Sequence, residues 1–349
     1  MNIAIVGCGN IAGPYSKSIK GFDTLNLVGF YDIDASRAQA FAAEHGGKAY
    51  SSLEELLADN EVETIVNLSI FQVHYEISKQ ALEAGKHVYS EKPLTLEYEQ
   101  AKELVALAKA ENLHLVCAPV TFLGEPQQAA MKHVADGTIG KPRLIYAEVN
   151  HGRIESWHPN PAPFYEVGPN LDVGVYPLTL TTALLGPVKR LQAFATTLSA
   201  ERVTKDGAAF TVKAPDYYVI NLEFASGEIM RMTSNFYVSN KTKQAEGIEF
   251  HGDKGSLYLS SWFALNATLE YADFGESYSL LRDKTTDDVI NWAIGLNDFA
   301  LALQENRAPR LQGAHAAHIV EILEATNTSV KTGQSVDLSS TFERPAPMP

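Results

Sequence analysis

The junction between the first strand and the first helix constrains this chain most. Residues 2–6 (NIAIV) form an unbroken apolar run rich in β-branched residues, which is typical of a strand buried on both faces of a parallel sheet. The chain then turns at GCGNIA, where a side chain at Gly7 or Gly9 would keep a ligand away from the backbone. Ala12 is small enough for the new helix to pack on the strand. A G-x-G-x-x-A pattern between a strand and a helix predicts a dinucleotide-binding turn.

The next strand supplies a second part of this site. Residues 25–31 (LNLVGFY) form another apolar run, and it ends at Asp32, near the distance at which an acidic side chain binds a ribose 2′-hydroxyl. Asp32 would repel a 2′-phosphate, so the sequence favours NAD over NADP. Arg37, one turn into the following helix, could bind that phosphate instead, which keeps NADP open. The N–H groups expected to face the pyrophosphate at the positive end of the helix dipole are those of Gly9, Asn10 and Ile11.

The hydrophobic pattern changes near residue 120. Before that point strands alternate with helices, which is typical of parallel βαβ units. After it strands dominate, and several alternate polar with apolar residues, as in EIMRMTSNFYV at 228–238. We therefore predict an α/β Rossmann domain that binds NAD(P) at residues 1–120. An α+β domain with a mostly antiparallel sheet should follow at residues 121–349 and bind the substrate.

Charge and cysteine content limit the possible partners. Charged residues make up 20% of the chain and the net charge is −14, which argues against binding to nucleic acids or anionic membranes, since both are polyanions. Cys8 and Cys117 are far apart and match neither a disulfide framework nor a zinc motif. Cys8 could be a redox-sensitive thiol, but a small side chain that fills the turn explains it better. The N-terminus is unlike a signal peptide and no apolar stretch approaches membrane-spanning length, so we expect a cytoplasmic protein.

A lysine follows the strand HVYS at residues 87–90. Glu91, Lys92 and Pro93 come directly after it, and the carboxyl end of a parallel strand faces the crevice in which such folds bind ligands. Transfer of a hydride from an alcohol to nicotinamide also requires removal of the O–H proton. A lysine beside the positive ring can have a pKa low enough to accept that proton. Read alone, a lysine before a proline is more often a solvated turn residue.

Four segments, in chain order, resemble a known family. They are GCGNIA at 7–12, SIFQVHYEISKQALEAGKHVYSEKP at 69–93, PNLDVGVYPL at 169–178 and SVKTGQSVDL at 329–338. Together they resemble the Gfo/Idh/MocA oxidoreductases, which are named for glucose-fructose oxidoreductase and inositol dehydrogenase. The segment that ends in EKP is the specific part, since many unrelated folds share the glycine turn. The resemblance runs over essentially the whole chain.

The resemblance implies a Rossmann domain and a second domain with a large, mostly antiparallel open sheet, with the active site between them. It implies an NAD(P)-dependent enzyme for a sugar, polyol or related hydroxy compound, assembled as a homodimer or homotetramer through the open sheet. Lys92 matches the family's usual catalytic group, and the peptide bond before Pro93 is commonly cis. Glu91 is expected to seat the nicotinamide end of the cofactor. Ser69 and His74 are expected to support the cofactor.

The second motif departs from the family pattern. The family usually has D-x-G-x-H, and here Asp172 matches while Tyr176 replaces the histidine. Histidine titrates near neutral pH, whereas a phenol with a pKa of about 10 needs a nearby cation such as Lys92 or NAD⁺ to act as a base. Pro169 and Asn170 stand where a run of glycines is common, which could reshape the substrate pocket. We therefore expect Lys92 to act as the acid/base, Asp172 to orient the substrate or relay protons, and Tyr176 to bond the reacting oxygen, with Tyr176 as the alternative proton acceptor.

A stiff segment, NHGRIESWHPNPAPFY at 150–165, combines prolines with aromatic and polar residues. His151, Trp157 and His158 are candidate substrate residues, because sugars need hydrogen bonds to their hydroxyls and a flat apolar surface for the ring. An ordinary surface loop is an equal alternative. We predict no metal site, since the following residues share a helix face but match no metal motif: His315, His318 and Glu321.

Three functions are compatible with these residues. The first is an NAD(P)-dependent dehydrogenase or reductase for a sugar or polyol. The second is a glycosidase that uses tightly held NAD⁺ for transient oxidation, as some members of the family do. The third is a catalytically inactive regulator that senses nucleotides on the same fold, although retention of Lys92 and Asp172 counts against it.

Overall fold

The computed structural model describes residues 1–348, which form two compact units. The first unit comprises residues 1–120 and 291–320, and the second comprises residues 121–290 and the chain from residue 321 onward. No helix within residues 1–348 is both long enough and apolar enough to cross a lipid bilayer.

The helices and strands have the following bounds. The helices are α1 (Ala12–Ile19), α2 (Ala35–His45), α3 (Leu53–Ala58), α4 (His74–Glu83), α5 (Tyr98–Ala110), α6 (Glu125–Ala135), α7 (Ala162–Pro169), α8 (Val175–Leu185), α9 (Ile294–Gln304) and α10 (Gly313–Thr332). The first strands are β1 (Asn2–Val6), β2 (Asn26–Tyr31), β3 (Lys48–Ala49), β4 (Thr64–Asn67), β5 (His87–Ser90) and β6 (Leu115–Cys117). The remaining strands are β7 (Pro142–Asn150), β8 (Val188–Thr196), β9 (Glu201–Val203), β10 (Ala209–Thr211), β11 (Tyr217–Phe224), β12 (Ile229–Asn235), β13 (Ile248–Gly252), β14 (Gly255–Leu259), β15 (Leu269–Asp273), β16 (Ser279–Arg282) and β17 (Val336–Asp337).

The first unit is built on a parallel sheet of six strands in the order β3-β2-β1-β4-β5-β6. The central strands are buried on both faces, and Ile3, Ile5, Ile65 and Val88 have no exposed surface. This explains why these strands have apolar sequences without alternation. The structure confirms the predicted Rossmann domain, and the carboxyl ends of β1, β2, β4 and β5 lie along one edge of its sheet.

Residues 291–320 belong to the first unit, whereas the sequence reading placed them in the second domain. Phe299 in α9 packs edge-on against two histidine rings, that of His87 in β5 at 5.8 Å and that of His114 directly before β6 at 5.7 Å between ring centroids. Ala317 and Val320 at the start of α10 lie in the same hydrophobic core as β1 and β5. Burial against a distant part of the chain therefore decides where this segment belongs.

The second unit is built on a sheet of nine strands in the order β16-β15-β14-β13-β7-β12-β11-β8-β17. Its neighbouring strands pair antiparallel except β12 with β7, which are parallel. In β12, Met230 and Met232 are completely buried while Ile229 on the other face is 40% exposed. One face is therefore covered and the other open, which confirms the predicted α+β domain with a large, mostly antiparallel sheet. Strands β9 and β10 form a separate hairpin.

Candidate active site

The two glycines of the first turn differ in what surrounds them. Gly7 has a φ of +97°, and a Cβ built on it would lie 2.7 Å from Ser69 N and 2.8 Å from the backbone oxygen of Leu68. A side chain there would collide with the loop after β4. A Cβ on Gly9 would meet no atom of residues 1–348 beyond its chain neighbours within 4 Å, so the turn is open there and a ligand could approach its backbone. Ala12 N donates to Gly9 O at 3.1 Å, which closes the turn at the start of α1. The predicted pyrophosphate-facing residues Asn10 and Ile11 lie within this turn.

Asp32 follows β2, and both of its carboxylate oxygens are held by backbone groups. Oδ2 accepts a hydrogen bond from Cys8 N at 2.7 Å and Oδ1 accepts one from Asp34 N at 2.8 Å. The carboxylate is thereby fixed beside the glycine turn. Ile33, the next residue, has 96% of its surface exposed and offers an apolar contact beside that carboxylate. Arg37 pairs with Asp34 over 3.5 Å on the exposed start of α2.

His74 joins the loop after β4 to the loop after β5. Its ring Nδ1 lies 2.8 Å from Pro93 O, and its Nε2 lies 3.1 Å from Ser69 O. Burial lowers the pKa of His74 more than the two carbonyl oxygens raise it, so the ring is neutral near pH 7 and donates to one carbonyl at a time. Asn67, which sequence reasoning missed, accepts from Ser69 Oγ at 2.6 Å and donates to His74 O at 3.1 Å. The sequence signal that could have identified Asn67 is its position at the end of β4.

Glu91 is held by a buried tyrosine. Its Oε1 accepts a hydrogen bond from the Tyr15 hydroxyl at 2.6 Å, and its Oε2 accepts one from Lys92 N at 3.0 Å. Tyr15 is completely buried in α1, and its hydroxyl lies 3.1 Å from that of Tyr89. The peptide bond between Lys92 and Pro93 is cis, as the resemblance implied. Lys92 is half-buried, and its charge lowers the pKa of His74.

The structure thus brings the predicted cofactor residues of the first unit together at one sheet edge. They follow β1 (Gly7, Gly9, Asn10, Ile11), β2 (Asp32), β4 (Ser69, His74) and β5 (Glu91, Lys92, Pro93). Gly7 lies directly against Ser69, and His74 contacts both Ser69 and Pro93, so these contacts join three of the four groups. This edge is where open parallel sheets bind their ligands.

In the second unit Asp172 and Tyr176 lie on one continuous helical segment. Asp172 is half-buried in a π-helical turn, Asn170–Gly174, that leads into α8. Tyr176 is the second residue of α8 and is only 8% exposed. Its ring stacks on Trp262 with centroids 5.7 Å apart and meets Phe263 edge-on at 5.2 Å. The two aromatic partners, which sequence reasoning missed, fix the phenol's direction.

The three candidate substrate residues of the second unit form one aromatic cluster. His151 and His158 both meet the ring of Trp157 edge-on, with centroids 5.9 and 5.4 Å away. His158 also packs on Phe164 at 4.8 Å, and its Nδ1 accepts a hydrogen bond from Asn160 N at 3.0 Å. Trp157 nevertheless keeps 46% of its surface exposed. The segment therefore presents an ordered aromatic surface to solvent, which is more than a loose loop would provide.

Comparison with known proteins agrees with this geometry. A family model described as "Oxidoreductase family, NAD-binding Rossmann fold" matches residues 1–118, and the "GFO/IDH/MocA C-terminal domain" matches residues 127–258. A 1,5-anhydro-D-fructose reductase from Ensifer adhaerens is 30% identical over 236 residues, which cover 66% of this chain and 67% of the reductase.

The chain belongs to the GFO/IDH/MocA oxidoreductase family.

Two further similarities extend over nearly the whole of this GFO/IDH/MocA protein. A myo-inositol 2-dehydrogenase from Thermotoga maritima is 25% identical over 351 residues, which cover 97% of this chain and 98% of the dehydrogenase. The crystal structure of an NAD binding oxidoreductase from Klebsiella pneumoniae superimposes with a TM-score of 0.86 at 21% identity. The superposition covers 97% of this chain and 99% of the Klebsiella chain. The superposition shows the same fold.

Within residues 1–348 there is no group of three or more side chains of histidine, cysteine, aspartate or glutamate that could jointly hold a metal ion. The polar groups at the edge of the parallel sheet are instead a carboxylate fixed beside a glycine turn, a second carboxylate held by a tyrosine, and a lysine. This donor set fits a dinucleotide with two riboses and a pyrophosphate.

Proposed function

We propose that this GFO/IDH/MocA protein is a dehydrogenase or reductase that uses NAD to oxidise or reduce a hydroxyl-bearing carbon of a sugar or polyol. The observation that carries the proposal is the fixed carboxylate of Asp32, with exposed Ile33 beside it and the open turn at Gly9. Asp32 would bind the ribose hydroxyls, and the turn would approach the pyrophosphate. The relatives named for anhydrofructose and myo-inositol support a polyhydroxy substrate.

Each remaining residue has a role in this proposal. Nicotinamide, when bound, supplies the hydride acceptor or donor. Glu91 would orient that end of the cofactor. Lys92 would take the hydroxyl proton during oxidation and return it during reduction. Asp172 and Tyr176 would orient the reacting oxygen or relay its proton, and Trp157 would bind the apolar face of the sugar ring.

The first experiment follows reduction of NAD⁺ and NADP⁺ by near-ultraviolet absorbance against aldoses, inositols, anhydrosugars and sugar acids. On the substrate found, Lys92→Met should lower kcat at least a hundredfold while the dissociation constant for NAD changes less than about threefold. Lys102→Met is the matched control, because this lysine is exposed on α5 and pairs only with Glu99 among the ion pairs of the described chain. Full activity of folded Lys92→Met would exclude the assigned role.

The preference for NAD is part of the proposal and has its own test. Asp32→Ser removes the negative charge that would face a 2′-phosphate, and we expect the efficiency with NADP⁺ relative to NAD⁺ to rise at least tenfold. Asp34→Asn keeps an oxygen that can cap α2 but releases Arg37 from its ion pair, so it should raise use of NADP⁺ by a smaller factor. An unchanged cofactor ratio in both variants would argue against this assignment.

Hydrolysis of a glycoside without net consumption of nicotinamide would instead indicate the glycosidase alternative. NAD binding without turnover of any sugar in the panel would indicate the regulator. The absorbance screen, extended by a hydrolysis assay on glycosides and a measurement of NAD binding, therefore separates the three functions that the sequence left open. We also propose a cytoplasmic location, which the two free thiols, Cys8 and Cys117, support. Cell fractionation with an antibody to the native protein tests it.

We propose in addition that the protein assembles as a homodimer or homotetramer through the open face of the nine-stranded sheet. On that face the paired residues Leu144 and Ile229 are 39% and 40% exposed, and Phe194 is 62% exposed. Leu144→Glu should shift the sedimentation coefficient toward a smaller species. Phe274→Glu is the control, since Phe274 is 85% exposed beyond the end of β15. A wild-type protein that sediments as a monomer would contradict the assembly.

A further inference from the structure

A buried arginine of the second unit lies outside the candidate site and contacts the segment that carries Trp157. Arg202 belongs to β9, in the separate hairpin with β10, and is 5% exposed. Its guanidinium donates to Glu155 Oε1 at 2.8 Å and to Asp216 Oδ2. Its Cζ atom also lies 4.8 Å from the ring centroid of Tyr165. Two carboxylates and an aromatic ring therefore surround a single guanidinium.

Glu155 is fixed on both of its oxygens. Oε2 accepts a hydrogen bond from the Tyr165 hydroxyl, and that hydroxyl accepts one from Ile154 N at 3.3 Å. Burial raises the pKa of Glu155, but the hydrogen bonds from Tyr165 and Arg202 outweigh it, so the carboxylate stays ionised at neutral pH. Glu155 lies in the 3₁₀ turn Ile154–Ser156, directly before Trp157. The ion pair therefore acts on the aromatic segment itself.

Asp216 ties the other side of the guanidinium to the large sheet. It is completely buried at the start of β11, and its Oδ1 accepts a hydrogen bond from Leu198 N at 2.7 Å. Its backbone oxygen accepts one from Phe236 N at 2.9 Å. Phe236 also packs against His151, with ring centroids 6.0 Å apart. Through Arg202, the aromatic segment is thus tied to residues that flank two strands of the large sheet, β11 and β12.

Such an arrangement is a weak source of stability. Removing three charges from water costs free energy that their mutual attraction only partly offsets, and apolar residues of similar volume often stabilise a protein as well or better. A planar guanidinium, however, imposes one geometry on two carboxylates. The buried cluster is therefore better suited to fixing the position of a segment than to strengthening the fold.

The outer side of the same segment carries groups suited to a ligand. The Arg153 guanidinium is exposed and lies 4.4 Å from the ring centroid of Tyr237. A cavity of about 420 Å³ adjoins them, and its lining includes Ser156 and Arg202. Exposed Trp157 follows directly in the chain. A flat aromatic surface next to a polar cavity suits a polyhydroxy ring.

We propose that Arg202 is a positioning residue: through Glu155 it holds residues 151–160 in the one arrangement that binds a sugar or polyol ring. This rests on the proposed function of the chain. Arg202 does not touch the reacting atoms, so its loss should weaken substrate binding and leave the chemical step intact. The residue thereby determines affinity for the substrate and has no effect on affinity for the nucleotide.

The test compares Arg202→Lys with Arg231→Lys. Lysine keeps the charge but cannot donate in the planar fork. Arg231 is a matched control, because it also pairs with a carboxylate, Glu148 at 2.8 Å, and lies over a tyrosine ring, Tyr146 at 4.8 Å, on the open face of the sheet. We expect Arg202→Lys to raise KM for the sugar at least tenfold, with kcat within about twofold and the NAD dissociation constant unchanged. Arg231→Lys should change none of the three.

Two measurements without turnover separate this inference from the proposed function. Acrylamide quenching of tryptophan fluorescence reports mainly on Trp157, since Trp262 is 1% exposed and Trp292 is half-buried. Trypsin cleavage after exposed Arg153 reports on the order of the segment. Both should increase in Arg202→Lys and stay at wild-type values in Arg231→Lys, even if the wild type oxidises no sugar.

A second variant covers the case in which Arg202→Lys does not fold. Glu155→Gln keeps a hydrogen-bonding oxygen but removes the charge that attracts Arg202, so quenching, cleavage and KM should move in the same direction by smaller factors. Wild-type quenching and KM in either folded variant would overturn the inference. An equal loss of kcat, nucleotide affinity and melting temperature would do so as well, because that pattern indicates a general structural role.

Discussion

Tyr15 in the first helix donates a hydrogen bond of 2.6 Å to Glu91, the residue that follows the fifth strand of the parallel sheet. Burial, and then the charge of Glu91, raise the pKa of Tyr15 well above its usual value, so the phenol keeps its proton at neutral pH. The first helix thus provides more than the glycine turn, because it also holds the carboxylate expected at the other end of the cofactor.

Removal of that hydroxyl should be costly. Tyr15→Phe takes away a donor to a charged acceptor in a buried place, and we expect the free energy of unfolding to fall by about 1.5–3 kcal/mol. Tyr75→Phe is the matched control, since its hydroxyl donates to Glu103 at 2.7 Å on the exposed surface of the same unit. There we expect a loss below about 0.5 kcal/mol. Urea unfolding followed by circular dichroism measures both losses. Equal losses would contradict a larger contribution of the Tyr15 hydrogen bond to stability.

The three glycines of the first turn and helix should respond differently to alanine. Gly7→Ala combines a positive φ with a contact of 2.7 Å to Ser69 N, so it should lower the free energy of unfolding by about 2 kcal/mol or more. Gly9→Ala meets no described protein atom and should leave stability within about 0.5 kcal/mol, yet weaken NAD binding at least tenfold. Gly13→Ala, equally unobstructed but within α1, should leave NAD binding unchanged and raise the free energy of unfolding by up to about 1 kcal/mol. Calorimetry with NAD checks all three, and wild-type affinity in Gly9→Ala would argue against a dinucleotide at this turn.

Acid should destabilise the first unit through His315. This histidine is 3% exposed in α10, and burial lowers its pKa from 6.5 to about 3. Between these values the unfolded chain binds a proton that the folded chain excludes, so the stabilisation is complete above pH 6.5 and declines as the pH falls toward 3. At about pH 4.5 the free energy of unfolding should be lower than at neutral pH by about 2–3 kcal/mol because of His315.

Substitution isolates that contribution. The difference in the free energy of unfolding between about pH 7 and about pH 4.5 should be smaller by about 2–3 kcal/mol in His315→Gln than in the wild type. The comparison cancels the carboxylates that also titrate in this range, and it does not depend on the stability of the variant at neutral pH. Identical pH dependence in the two proteins would show that His315 is not responsible.

The thiols of the native protein should be inert. Burial, and then the charge of Asp32, raise the pKa of Cys8 to about 12, and burial raises that of Cys117 as well. The thiolate is the reactive form, so a disulfide reagent at about pH 8 should modify Cys8 on the order of a thousandfold more slowly than an exposed cysteine. Unfolding in urea should release both thiols to the reagent. Rapid modification of one thiol in the folded protein would favour a redox-sensitive Cys8.

Much of the first unit could be predicted from the sequence, because its signals are local. The strand before Gly7, the acid after β2 and the lysine after β5 are each defined by a few neighbouring residues, and parallel strands place their carboxyl ends at one edge. The helix expected after Asp32, with Arg37 in its first turn, forms at Ala35–His45 with Asp34 as its N-cap. Strand β4 ends at Asn67, whose side chain binds the residues that follow it, Ser69 and His74.

Other features gave no local signal. Helix α8 was not predicted, because its first ten residues are all buried and its sequence therefore shows no polar face. Helix α9 begins at Ile294 and packs on histidines far away in the sequence. Tyr15, Arg202 and Glu155 could not be singled out either, since each acts through a partner that the chain order does not reveal.

The sequence by itself determined the order of the two domains, the family and the residues at the carboxyl edge of the parallel sheet, because backbone periodicity, turns and short motifs depend on near neighbours. Only the tertiary structure decided that residues 291–320 complete the first unit, that Tyr15 holds Glu91, and that Arg202 anchors the segment with Trp157. These contacts join residues that are far apart in the sequence. A buried polar group needs a hydrogen-bond partner, but no local sequence pattern shows which residue that partner is.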